Sequence, residues 1–137
     1  MSGYPVRPDP DSQPFWDAAA SGMLVGQACA ECGRFRWPPR EHCSHCYKAA
    51  PVWHPLDGLG TVLGAVVLHR PFDAAFADHI PLMIAHVEID GTEGQMVLIG
   101  NLEPAMPVDR AVGSRVGVTF KERAGARLPT FVLYRED

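Results

Sequence analysis

The stretch CAECGRFRWPPREHCSHC, Cys29 to Cys46, holds all four cysteines of the 137-residue chain. They form two Cys-x-x-Cys pairs. Each pair turns tightly enough for backbone amides to face its sulfurs, and the intervening residues form a hairpin that brings the pairs together. Four converging thiolates suit a tetrahedral Zn²⁺ with Zn–S bonds of ~2.3 Å. Gly33 closes the first knuckle, where a positive φ is expected, and Pro38 and Pro39 stiffen the excursion between the knuckles. Rubredoxin-type iron uses the same ligand set. Two disulfides fit poorly with an N-terminus that lacks the apolar core of a signal peptide, and a dithiol redox site needs only one pair. A catalytic zinc keeps one position open, whereas four cysteines close the site. The expectation is one structural Zn²⁺ per chain on Cys29, Cys32, Cys43 and Cys46, with His42 and His45 as exposed loop residues.

Other reactive constellations are sparse. The chain has no Gly-x-Ser-x-Gly, no P-loop and no dinucleotide fingerprint. The metal consumes every cysteine, so no thiol remains as a nucleophile, and no catalytic residue is assigned. His69, His79 and His86 fall in or near strands. His86 beside Glu88 offers an acid–base pair, but nothing accompanies it as nucleophile or electrophile, and a hydrogen-bonded barrel histidine is the simpler reading. Arg34, Arg36, Arg40 and Lys48 make the cysteine loop locally basic, partly offset by Glu31 and Glu41. The plain reading is a solvated loop. The sharper one is an anion site in which Arg34, Arg36 and Arg40 grip phosphate oxygens.

These residues need elements to position them. At 47% apolar and 20% charged, the composition is that of a folded domain. A net charge of −4 opposes nucleic acid as the main partner. No apolar run reaches the ~20 residues needed to span a bilayer, and the expected location is the cytoplasm. Asp11 or Ser12 can cap a short helix that Pro14 helps start, carrying Phe15 and Trp16 and ending at Gly22. Strand patterns follow at Gly60–His69, Pro81–Asp90, Gln95–Asn101, Arg115–Glu122 and Pro129–Arg135. The turn DGTEG joins the second to the third, and the proline-broken EPAMPVDRAVG lies before the fourth. Five short strands suggest a small closed barrel, OB-like, SH3-like or a small sandwich.

The run FWDAAASGMLVGQACAECGRFRWPPREHCSHC followed by GTVLGAVVLH resembles the DUF35 family, a zinc ribbon joined to an OB fold. The PFW helix start, Cys-x-x-Cys-Gly, the Pro38–Pro39–Arg40 segment, the second Cys-x-x-Cys, the glycine-led strand and IGNL (Ile99–Leu102) carry it. Ser44 stands where relatives often have proline, and no glycine follows Cys46, which leaves the second knuckle less constrained. The implied fold is mainly β: N-terminal arm and helix over 1–26, rubredoxin-like Cys₄ zinc ribbon over 27–55, five-stranded OB barrel over 56–137. The implied role is an accessory subunit, non-catalytic or co-catalytic, of an acyl-CoA complex. Its partner would be a thiolase-fold aldolase, as in steroid side-chain shortening, a thiolase, or a MaoC-type hydratase. The basic patch then becomes a candidate holder of coenzyme A phosphates. Rival readings are a nucleic-acid-binding OB protein and an enzyme using His86 and Glu88. Phe15, Trp16, Phe35 and Trp37 are candidates for the partner face, against the alternative that they fill the seam between ribbon and barrel. The apolar connection His69–Pro81 is either a capping helix or a cover for a ligand or partner.

Overall fold

The computed structural model describes residues 8–70, 78, 80–123 and 126–134. Most of the His69–Pro81 connection, including Phe72, Phe76 and His79, lies outside them. Helix α1 runs from Gln13 to Ala20, with Ser12 at its N-cap and Pro14 in its first turn. The Ser12 hydroxyl does not cap the helix; it turns back to the Asp9 carbonyl at 3.4 Å. At the other end Gly22 takes φ +78°. Its N–H donates to Ala19 O, and that of Met23 donates to Ala18 O, both at 2.9 Å, which satisfies two terminal carbonyls.

Three strands build the ribbon: β1 (Val25–Cys29), β2 (Phe35–Arg36) and β3 (Pro51–Pro55), in the order β2-β1-β3, all antiparallel. Five more close a barrel: β4 (Leu59–Leu68), β5 (Leu82–Ile89), β6 (Val97–Glu103), β7 (Arg115–Arg123) and β8 (Ala126–Leu133). The closed order is β4-β5-β6-β8-β7, with β6 and β8 parallel and the other pairs antiparallel. This is the OB arrangement, and it decides among the barrels that strand periodicity left open. All five expected strands are present within a few residues of their expected ends. The connection before the fourth barrel strand differs: it contains a one-turn helix, α2 (Val108–Ala111), which packs on β4 and buries Ala111.

Strand β4 pairs with β7 through Leu59–Thr61 and with β5 along its length, and a bulge between Val62 and Gly64 lets it bend to do both. Closure also demands bare backbone at two points. A Cβ on Gly60 would lie 2.5 Å from Val87 Cγ1 and 2.6 Å from Glu88 O. One on Gly100 would lie 3.1 Å from both Pro129 O and Phe131 Cε2, where β8 crosses β6. Strand β5 alternates, with Met83, Ala85, Val87 and Ile89 buried. Val116, Phe120 and Phe131 join them, while Val118 packs at the margin.

The core does not stop at the barrel. Phe15, Ala19 and Leu24 belong to the same buried cluster, with Trp16, Trp37 and Trp53 packed against it. Phe15 meets Trp16 edge-to-face at 5.1 Å and Trp37 at 4.8 Å between ring centroids. A short helix and a ribbon with little apolar interior of their own are thus fastened by one shared aromatic seam.

Candidate metal centre

The first knuckle follows β1 and the second precedes β3, so the central pair of ribbon strands sets the distance between them. The two turns repeat one hydrogen-bond pattern. Gly33 N–H donates to Cys29 O and Tyr47 N–H to Cys43 O, each at 2.8 Å. Cys29 N–H donates to Arg34 O at 2.9 Å and Cys43 N–H to Lys48 O at 3.0 Å. Gly33 adopts φ +79°, and Tyr47 the equivalent φ +65° despite its side chain. The second knuckle therefore keeps its full set of backbone bonds without the glycine, contrary to the looseness expected of it.

All four sulfurs lie within 4.8 Å of one another. Cys29 Sγ is 3.5 Å from Cys46 Sγ, and Cys32 Sγ is 3.6 Å from Cys43 Sγ. Disulfide sulfurs would be ~2.05 Å apart. A tetrahedron with bonds of ~2.3 Å has sulfur–sulfur edges of about 3.8 Å. The cage thus fits a tetrahedral ion, and its four protein ligands leave no position for water or substrate. Backbone amides prepare it: those of Cys32 and Glu31 lower the Cys29 thiol, and those of Cys46 and His45 bring Cys43 down to about 6. Cys46 goes the other way, to about 12. The Lys48 amide pulls it down, but loss of solvent and the neighbouring Cys29, Cys43 and Cys32 push harder. Cys32 is raised likewise, against the pull of the Arg34 amide. Sulfurs this close cannot all ionise unless a cation joins them. His42 and His45 are exposed. His45 contributes its backbone N–H, 3.3 Å from Cys43 Sγ.

Beside the second knuckle lies a polar cavity of about 200 Å³ that Arg34, Arg36 and Arg40 line together with Ser44, His45 and Gln95. Arg34 and Arg40 are exposed, whereas Arg36 is 6% exposed. Gln27, buried in β1, orients this corner: its Oε1 accepts from Arg36 Nε at 2.6 Å and from Arg40 N at 2.8 Å. Gln95, at the barrel's β5–β6 turn, accepts the Phe35 N–H at 2.8 Å and ties ribbon to barrel. Neither glutamine was singled out from sequence. The available signal was one polar residue, Gln27, inside the otherwise apolar strand VGQAC.

Of the aromatic residues expected on a partner face, Phe15 is 1% exposed and fills the seam. Trp16, Phe35 and Trp37 remain half-buried. Trp16 and Trp37 line a groove of about 300 Å³ with Ile99, Gly100, Leu128 and Pro129. His86 is not a barrel-interior residue. It stands exposed on the outer face of β5, in register with Gly64 and Ile99. Among the described residues no hydrogen bond joins it to Glu88.

The chain matches two family descriptions in tandem: "ChsH2, rubredoxin-like zinc ribbon domain" over residues 16–52 and "ChsH2, C-terminal OB-fold domain" over 53–121. It is similar to a chain of the "Ltp2-ChsH2(DUF35) aldolase", with TM-score 0.79 and 30% identity, covering 93% of this chain and 98% of that one. A DUF35 protein of unknown function from Sulfolobus solfataricus shares the fold at TM-score 0.63 and 17% identity, over 91% and 86% of the two chains. A "DUF35 domain-containing scaffold protein" of Methanocaldococcus jannaschii is 31% identical over 72% of this chain and 67% of its own. A "Probable enoyl-CoA hydratase alpha subunit" of Thermomonospora curvata is 34% identical over 75% of this chain. The match spans only 34% of that longer relative.

Proposed function

The chain belongs to the DUF35 family in its ChsH2-type form, a zinc ribbon joined to an OB fold, and from that membership we propose that it is an accessory subunit of an acyl-CoA-processing complex. The observation that carries this reading is the end-to-end likeness to a component of an aldolase complex, at 93% and 98% coverage. The leading partner is a thiolase-fold aldolase or thiolase, acting in side-chain degradation of steroids or comparable acyl-CoA substrates. The ribbon carries one structural Zn²⁺ that fastens the knuckles and takes no part in chemistry. The half-buried rings of Trp16, Phe35 and Trp37 contribute to the partner face. Reduced thiols suit work in the cytoplasm. The likeness to a hydratase subunit favours a second reading, in which the partner is a hydratase.

Co-expression with a thiolase-like and, separately, a hydratase-like acyl-CoA enzyme from the same source tests both. The expected result is a stable complex with one partner, close to one zinc per chain by elemental analysis, and turnover of an acyl-CoA only by the complex. Turnover by the isolated chain at the rate of the complex defeats the accessory reading, as does failure to associate with either class.

A further inference from the structure

We propose that the cavity beside the second knuckle is a phosphate-binding site with the Arg36 guanidinium at its base. Arg36 is 6% exposed, so its charge is largely removed from water. Its Nε donates to Gln27 Oε1 at 2.6 Å, and its Nη2 donates to the Arg40 carbonyl at 2.8 Å. Its Nη1 is covered from solvent and has no acceptor. Among the described residues the ion pairs are Arg115–Asp90 and Lys121–Glu103, so no carboxylate balances Arg36. A buried charge is costly unless an opposite charge and hydrogen bonds compensate it.

The surroundings specify the missing group. Arg34 and Arg40 border the same cavity, Ser44, His45 and Gln95 add further polar groups, and no carboxylate lines it. Three guanidinium groups and no acidic side chain, in a chain of net charge −4, select an oxyanion of more than one negative charge. A phosphate group meets that description: the exposed guanidinium forks of Arg34 and Arg40 can match its oxygens, with the charge of Arg36 beneath them. Gln27 and the Arg40 carbonyl already hold Arg36 in place, so binding need not order it. The site rests on this geometry and not on the proposed acyl-CoA role.

The rival explanation is that Arg36 merely balances the metal–tetrathiolate charge, since Cys43 also borders the cavity. The test is calorimetric titration of the zinc-loaded full chain at constant ionic strength. The probes are inorganic phosphate, pyrophosphate and coenzyme A. The expected result is one saturable site, with pyrophosphate tighter than phosphate. Coenzyme A binding above pyrophosphate identifies a carrier-borne phosphate as the natural source, and equal binding a free one. Arg34→Gln and Arg40→Gln, both at exposed positions, should each weaken binding about tenfold without loss of zinc. Arg36→Gln should abolish it; zinc content and circular dichroism separate that loss from misfolding. A flat titration, or one unchanged in the Arg34→Gln/Arg40→Gln double variant, overturns the site.

Discussion

Tyr47 sits where the first knuckle has Gly33, at φ +65° and 78% exposed. A side chain in that left-handed conformation costs roughly 1 kcal/mol relative to glycine. The two matched hydrogen bonds of the knuckle, together with sulfur–metal bonding, hold the turn against that cost. Tyr47→Gly should therefore leave the hydrogen-bond pattern intact and raise the unfolding free energy of the zinc-loaded chain by about 0.5–1 kcal/mol in urea titration. An unchanged or lowered midpoint would show that the Tyr47 ring contributes packing that its exposure does not reveal. The four cysteines were legible from spacing alone, because metal coordination is a local constraint on a short loop. The special standing of Arg36 was not. It lies in a basic run beside Arg34 and Arg40, and only pairing of β2 with β1 turns it inward onto Gln27 while its neighbours stay exposed.

At the scale of elements, the strands were legible because valine-rich alternation marks a half-buried face. Their closure was not, since parallel pairing of β6 with β8 joins segments with no local signal for each other. Helix α2 was missed for a related reason: four residues directly after Pro107 are too few for a periodic pattern, and the turn is held by packing on β4. Two glycines mark where closure is tightest. A methyl group on Gly60 meets Val87 Cγ1 at 2.5 Å and, less yieldingly, the Glu88 carbonyl at 2.6 Å. Gly60→Ala should thus destabilise the barrel by about 1–3 kcal/mol through forced backbone movement. At Gly64, on the same strand, an added Cβ meets nothing within 4 Å, so Gly64→Ala provides the control. The check is the difference between the two denaturation midpoints. Equal midpoints mean that the barrel can open at β4 without cost, and the close approach is then not a constraint.

Across the whole molecule, helix, ribbon and barrel share one buried cluster, so the N-terminal aromatics divide into two functions. Phe15 is inside, 1% exposed. Trp16 and Trp37 cover it and still line a groove. Ile99, 55% exposed, borders that groove and stands in register with His86 on the outer sheet face, where Leu63 and Val66 are 50% and 56% exposed. Exposed apolar side chains thus lie from the helix side across β6 and β4, with His86 of β5 between them. Adjacent exposed apolar groups of this kind are typical of a surface that a partner covers. The sequence singled out these aromatics but could not divide them between seam and surface, because burial depends on which side of an eight-residue helix meets β8. Phe15→Ala should destabilise the isolated chain by about 3–5 kcal/mol, as loss of a core ring does. Trp16→Ala and Ile99→Glu should leave zinc content and most of the fold in place while each weakens association with the partner proposed above by about tenfold or more. Paired thermal melts and pull-down affinities measure both effects on the same preparations. If Trp16→Ala lowers the melting temperature as much as Phe15→Ala, Trp16 belongs to the seam. If Ile99→Glu also binds normally, the partner face lies elsewhere on the barrel.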